Sequence, residues 1–273
     1  EVGMIFPTDY SISSSTKSNF ENLKYFIFPD GIKIINKFCE YSLMNVEGII
    51  LPDSVTTIGT EAFKSLMWLR YINAPQNLKS IGYCAFGYPD SGAWWETQND
   101  GIIYFGNLVY GYKGIMPEGT VLTLRDGTKG IATCAFDNKS NLKGIVIPDG
   151  PFVIEDYAFR SSGLESFTLR SDIELKEGVF DRCSKLTNLT IENGVTKLLG
   201  FSYCGITCLV IPDSVVEVCD GAFAGCSSLI SIKFGSGLTT IGKSAFYGCG
   251  PIETLTIPSS IQTIGNSAFN GSK

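Results

Sequence analysis

The chain has 273 residues, with 21 Lys and Arg against 27 Asp and Glu, a formal charge of −6. That balance offers no basic footprint, so neither nucleic acid nor an anionic membrane surface is an expected partner. Histidine is absent, which excludes Ser-His-Asp and Cys-His catalysis and every imidazole metal site, and removes the commonest acid/base near neutral pH.

In chain order, residues 1–20 come first. Met4-Ile5-Phe6 is apolar enough to cap a core, and Ser11 to Ser18 reads as a polar linker. The opening lacks a basic start followed by an apolar run, so an exported form is expected here as mature or trimmed chain. No stretch reaches the roughly 20 apolar residues of a membrane-spanning helix.

From residue 21 a repeat takes over. Phe38, Phe63, Phe86, Phe136, Phe159, Phe180, Phe201, Phe223, Phe246 and Phe269 recur at intervals of 25, 23, 50, 23, 21, 21, 22, 23 and 23. Their surroundings recur too. Leu51-Pro52-Asp53-Ser54-Val55 leads to Ile58-Gly59 and Ala62-Phe63. Ile211-Pro212-Asp213-Ser214-Val215 leads to Ala222-Phe223 and Cys226, and Ile257-Pro258-Ser259-Ser260-Ile261 leads to Ile264-Gly265 and Ala268-Phe269. The pattern is L-x-x-L-x-I-P-x-S-V-x-x-I-G-x-x-A-F-x-x-C.

Each unit has a physical reading. Its apolar residues alternate with outward ones before the proline, which is the period of a strand. Proline cannot donate to a ladder, and Asp and Ser favour turns, so the strand stops there. A second apolar pair, such as Val55 and Ile58, predicts a short strand, and the glycine after it a bend. The x-x-A-F segment is expected to make one helical or 3₁₀ turn that drops Phe inward. One unit cannot bury a core, whereas stacked units can. About ten units over 21–271 therefore predict a single solenoid of α/β class, with parallel strands and short helical turns.

The double-length interval holds an insertion at about 88–118. It carries Tyr88, Trp94 and Trp95, then two apolar runs around Gly106-Asn107, from Ile102-Ile103-Tyr104-Phe105 to Leu108-Val109-Tyr110-Gly111-Tyr112. This reads as a β-hairpin with a two-residue turn. Either its rings anchor the hairpin to the solenoid, or Trp94, Trp95, Tyr104, Tyr110 and Tyr112 form a stacking or hot-spot platform.

Nine cysteines are present, and their positions form columns. Cys183, Cys204, Cys226 and Cys249 each lie three residues after a repeat Phe; Cys84 and Cys134 lie two before one. Columns of this kind fit a small buried apolar side chain better than a disulfide framework. A bridge between Cys204 and Cys208, or Cys219 and Cys226, is the alternative. No C-x-x-C pair exists, so no metal site is expected.

The recurring P-x-S-V-x-x-I-G-x-x-A-F motif resembles the BspA-type, or treponemal-type, leucine-rich repeat. That resemblance implies a right-handed, strand-rich leucine-rich-repeat solenoid and an exported surface protein of Bacteroides-like bacteria. It implies adhesion or host-protein binding and brings no catalytic residues. The segment from Asp100-Gly101 to Gly130-Ile131-Ala132 resembles an insertion seen in bacterial members. The units at Arg170-Ser171-Asp172 and Glu192-Asn193-Gly194 lack the proline, and the one at Leu199-Gly200-Phe201 is shortened.

The outward positions of the long strands form the other candidate surface. Tyr25, Tyr71 and Asn73 sit in its aromatic and aliphatic first part; Thr168, Thr190, Lys233 and Thr256 sit in its Ser/Thr-rich last part. No carboxylate pair on this face suits glycoside hydrolysis. The expectation is a non-enzymatic, cofactor-free recognition or adhesion module, cell-surface or extracellular, binding a protein or glycan of a host or neighbouring cell. The alternatives are a glycan-binding accessory of a sugar-uptake system, with Trp94 and Trp95 as platform, and a structural spacer.

Overall fold

The computed structural model describes residues 22–38, 45–87, 92–252 and 254–272. The expected linker and cap at 1–20, together with Tyr88 and Cys39, lie outside the described residues. The chain forms two compact units, one of Glu1–Ile115 with Lys129–Thr133, the other of Met116–Thr128 with Cys134–Lys273.

Both units are stacks of coils. In the first, the long strands Tyr25–Ile27, Gly48–Ile50 and Tyr71–Ile72 pair in parallel, and so do the short strands Ile34–Ile35, Thr57–Ile58 and Ser80–Ile81. In the second, Ser166–Leu169 pairs with Asn188–Ile191 and Cys208–Val210 with Ser231–Lys233. Its short strands Lys197–Leu198, Glu217–Val218, Thr240–Ile241 and Thr263–Ile264 form one parallel sheet.

The Pro-Asp-Ser turns do more than stop a strand. Asp53 Oδ1 accepts from the Gln76 N–H at 2.9 Å in the following coil. Ser54 Oγ accepts from the Gly31 N–H at 3.0 Å in the preceding one. Asp213 and Ser214 repeat this, toward Ser236 N–H at 2.6 Å and Gly194 N–H at 2.9 Å. Each turn thus satisfies backbone donors that the strand ladders leave over.

The core of the second unit is a column of phenylalanines. Phe136, Phe159, Phe180, Phe201, Phe223, Phe246 and Phe269 stack in sequence with centroids 5.1–5.5 Å apart and planes within 8° of parallel. Burying one such ring stabilises by about 1.5–3 kcal/mol, and each stacked neighbour adds about 0.5–1.5 kcal/mol. Beside the rings runs the cysteine column. The thiols of Cys183, Cys204, Cys226 and Cys249 donate to the carbonyls of Phe159, Phe180, Phe201 and Phe223 at 2.9–3.3 Å. Ser272 Oγ takes the same place under Phe246 O, at 2.9 Å. The eight described cysteines are free thiols, Cys208 being exposed and Cys134 and Cys219 half-buried.

The Ala-Phe segments are hydrogen-bonded turns and not the expected helical turns; the helix among the described residues is Ala93–Glu96. The cause is a left-handed residue two positions either side of the Phe, such as Tyr157 (φ 55°) and Ser161 (φ 56°) around Phe159. These turn alternate amides toward the next coil. The N–H groups of Tyr157, Phe159 and Ser161 donate to the carbonyls of Glu177, Val179 and Asp181 at 2.8–2.9 Å. A helix would have kept those amides for itself.

Candidate recognition site

The open strands of the first unit carry large apolar side chains in register. Tyr25, Gly48 and Tyr71 form one outward row, with Ile27 and Ile50 in the next. Tyr25 and Tyr71 are each about half exposed, at 51% and 55%. The row is possible because its middle residue is glycine. A Cβ on Gly48 would stand 2.5 Å from the Tyr25 ring, so the ring lies flat across it. Two strand spacings, about 10 Å, separate the tyrosine backbones.

Asn73 follows on the same strand, but its amide is occupied. Its Oδ1 accepts from the Leu51 N–H at 2.6 Å and its Nδ2 donates to the Leu51 carbonyl at 2.8 Å. Asn73 therefore continues the ladder with its side chain.

One charge column lies just before these strands. Lys24 pairs with Glu47, and the hydrogen bond from Lys24 holds the Glu47 carboxyl below its ordinary range, with Arg70 a further and smaller influence. Arg70 itself makes no ion pair among the described residues.

The insertion forms the expected hairpin. Gly101–Phe105 pairs antiparallel with Leu108–Lys113, Phe105 opposite Leu108, so Gly106-Asn107 is the two-residue turn. A register shift falls between Ile103 and Tyr104. The parallel strand Gly130–Ile131 pairs with the hairpin's second strand. Lys113 Nζ donates to the carbonyls of Trp95, Glu96 and Gln98 at 3.0–3.2 Å, closing the C-terminal end of the helix onto the hairpin.

Trp94 and Trp95 are not a protruding platform: each is 5% exposed. Phe86 is the last repeat Phe of its unit, and Trp94, Phe105 and Tyr110 pack on it at 4.6, 4.8 and 5.1 Å. The inserted rings cover the end of that column, and rings so enclosed cannot act as an open stacking platform; Trp94 shows only an edge to the hollow beside Tyr71. Tyr110 accepts from the Phe86 N–H at 3.3 Å, and burial pushes its phenol well above the ordinary range. Tyr112 is half-buried opposite Ile102.

The exposed tryptophan is Trp68, 54% accessible beside Met67 at 65%. Sequence reasoning passed over both. They fill the x-x of Leu66-x-x-Leu69, where other coils carry Ser184-Lys185 or Ser227-Ser228, so the replacement of polar by apolar residues there was the available signal.

A hollow of about 290 Å³ lies between the strand at Tyr71 and the hairpin, lined by Arg70, Tyr71, Trp94, Gln98, Tyr104 and Gly106 among others. It unites Tyr71, Trp94 and Tyr104 from the sequence reading. Arg70 and Gln98 are additions, and the 23-residue spacing of Lys24, Glu47 and Arg70 was the sequence clue to the first.

In the second unit, Thr168 faces Thr190 across paired strands, Lys233 is opposite Val210, and all of these are exposed, as is Thr256. The structure therefore places the predicted residues in two units, eight in the first and four in the second. Val121, Val146 and Val210 are further exposed apolar residues of the second unit. The shortened coil at Leu199-Gly200-Phe201 leaves a hollow of about 560 Å³ lined by Glu177, Asp181, Glu217 and Asp220. These carboxylates are engaged with Tyr157, Ser202, Lys197 and the Lys243 N–H in turn.

The family model for the BspA type leucine rich repeat region matches residues 4–91, 118–200 and 199–273, in six copies. The chain belongs to this family. No curated protein matches the BspA-type chain in sequence. The crystal structure of a leucine-rich repeat protein from Eubacterium ventriosum shares its fold, at 19% identity and a TM-score of 0.58, over 99% of this chain and 88% of that one. A leucine rich cell surface protein from Faecalibacterium prausnitzii is 21% identical with a TM-score of 0.43, over 99% and 79% of the two chains. A leucine-rich repeat protein from Bacteroides ovatus is 20% identical with a TM-score of 0.38, over 99% and 84%. No helix among the described residues is long and apolar enough to cross a membrane.

Proposed function

We propose that the chain is a non-enzymatic recognition module, displayed on the cell surface or released from it, that adheres to a macromolecule of a host or neighbouring cell. The observation that carries this reading is the exposed set Tyr25, Ile27, Ile50, Trp68 and Tyr71 on the first unit. Tyr and Trp are the side chains that dominate binding hot spots, because they offer rigid area at low entropic cost. What sets these residues apart from singly exposed rings such as Tyr203 and Tyr247 is that Tyr25, Ile27, Ile50 and Tyr71 lie on neighbouring paired strands, and clustered exposed apolar side chains mark interaction surfaces. Membership of the BspA-type family supports the same reading.

The test is a binding screen of the purified chain against arrayed mucin, matrix proteins and glycans, with Ile27→Lys/Ile50→Lys and Trp68→Ala variants alongside. Binding lost in these variants supports the reading. Binding that survives both moves the interface off the first unit's open strands. Silence on every array favours a structural spacer.

A further inference from the structure

Resting on the reading that the first unit carries the recognition surface, we infer that the hollow beside Tyr71 takes one sugar ring bearing a carboxylate, as an acidic residue of a glycan. Its volume, about 290 Å³, lies just below the range of drug-sized sites and fits a single ring. Tyr71 and Tyr104 flank it. A pyranose presents a face of C–H bonds, and the negative face of a tyrosine ring attracts such polarised edges.

The charge of the hollow selects among sugars. Arg70 is its charged lining residue, and no Asp or Glu lines it. Arg160 and Arg170 are held by Asp137 and Asp172, whereas Glu47, the carboxylate beside Arg70, is taken by Lys24. A guanidinium with no ion pair among the described residues, on a chain of net charge −6, is placed to bind a carboxylate through two parallel hydrogen bonds. Gln98 supplies a second polar group. Its Nε2 donates to Trp94 O at 3.1 Å and to Thr97 Oγ1 at 2.8 Å. Its Oε1 is thereby left to accept from a sugar hydroxyl. An acidic peptide would satisfy Arg70 but brings neither the flat face nor the hydroxyls.

The experiment titrates the full chain with methyl β-D-glucuronide and the methyl glycoside of N-acetylneuraminic acid, read by saturation-transfer NMR. Methyl β-D-glucoside is the neutral control, and N-acetyl-glutamate amide stands for an acidic peptide. The acidic glycosides should bind, at least one of them about tenfold or more tighter than the glucoside. Arg70→Gln should remove that preference, and Tyr71→Ala should weaken acidic and neutral sugars alike, with melting curves of both variants unchanged. Three results overturn the inference: no acidic glycoside binds, Arg70→Gln leaves the preference intact, or the glutamate derivative binds as tightly. If macromolecular binding is lost in Ile27→Lys/Ile50→Lys while the glycosides stay silent, the sugar assignment fails and the surface reading stands. If glycosides bind with the stated dependence and the arrays show nothing beyond them, the sugar assignment stands and the wider surface reading fails.

Discussion

Cys226 and Cys204 sit in the same column, one coil apart, and should nevertheless respond differently to truncation. The carbonyl of Phe180 accepts both the Cys204 thiol, at 3.1 Å, and the Cys183 N–H, at 3.0 Å. The carbonyl of Phe201 accepts the Cys226 thiol at 3.2 Å and no backbone donor among the described residues. Phe201 and Cys226 are both fully buried. Cys204→Ala removes one buried atom and should cost about 1 kcal/mol by the methylene scale. Cys226→Ala removes the same atom and also orphans a buried acceptor, which adds about 1–3 kcal/mol. Cys226→Ser restores a donor, as Ser272 already does at the same pattern position two coils on, and should lie between the wild type and Cys226→Ala. For a body of this size, thermal melts followed by circular dichroism should place Cys226→Ala roughly 2–10 °C below Cys204→Ala. Equal melting of the two alanine variants, or a serine variant less stable than the alanine one, would refute the hydrogen-bond argument.

The cysteine column also predicts reactivity and pH dependence. Among the eight described cysteines a bulky thiol reagent should label Cys208 first and the column only on unfolding, as peptide mapping would show. Burial pushes the thiol of Cys226 up to about 12 and those of Cys183 and Cys249 to about 11, from an ordinary 9.0. The unfolded chain then releases these protons first, so stability is intact below pH 9 and falls as pH rises toward 11–12, each thiol contributing up to about 1.4 kcal/mol per unit. Serine does not titrate there, so urea melts should show the gap between wild type and Cys226→Ser narrowing above pH 9; a constant gap would remove the thiol from the account. Trp94→Ala should cost about 3–5 kcal/mol by opening the Phe86 cluster, whereas Trp68→Ala should change stability by less than about 0.5 kcal/mol, and chemical denaturation of each separates the two roles.

What the sequence determined by itself follows from periodicity. A Phe every 23 or so residues, with Leu and Ile at fixed offsets, has one compact solution, the stack of coils, because each unit buries its apolar set only against the next. The hairpin at Gly106-Asn107 was legible for a similar reason: a two-residue turn between apolar runs is a local event. Tertiary structure decided the rest. Composition marks Trp94 and Trp95 as large aromatics but does not say which side of a hairpin faces a core; the need to cover Phe86 turned them inward. Trp68, hidden in an ordinary-looking x-x, came to the surface because its neighbours Leu66 and Leu69 hold the interior positions. The Ala-Phe segment looked helical from its composition, yet the pull of unpaired carbonyls in the next coil outweighed a single helical turn. Arg70, Tyr71, Gln98 and Tyr104 meet in one hollow because the stack brings a strand beside an insertion far along the chain, a juxtaposition that only the folded register creates.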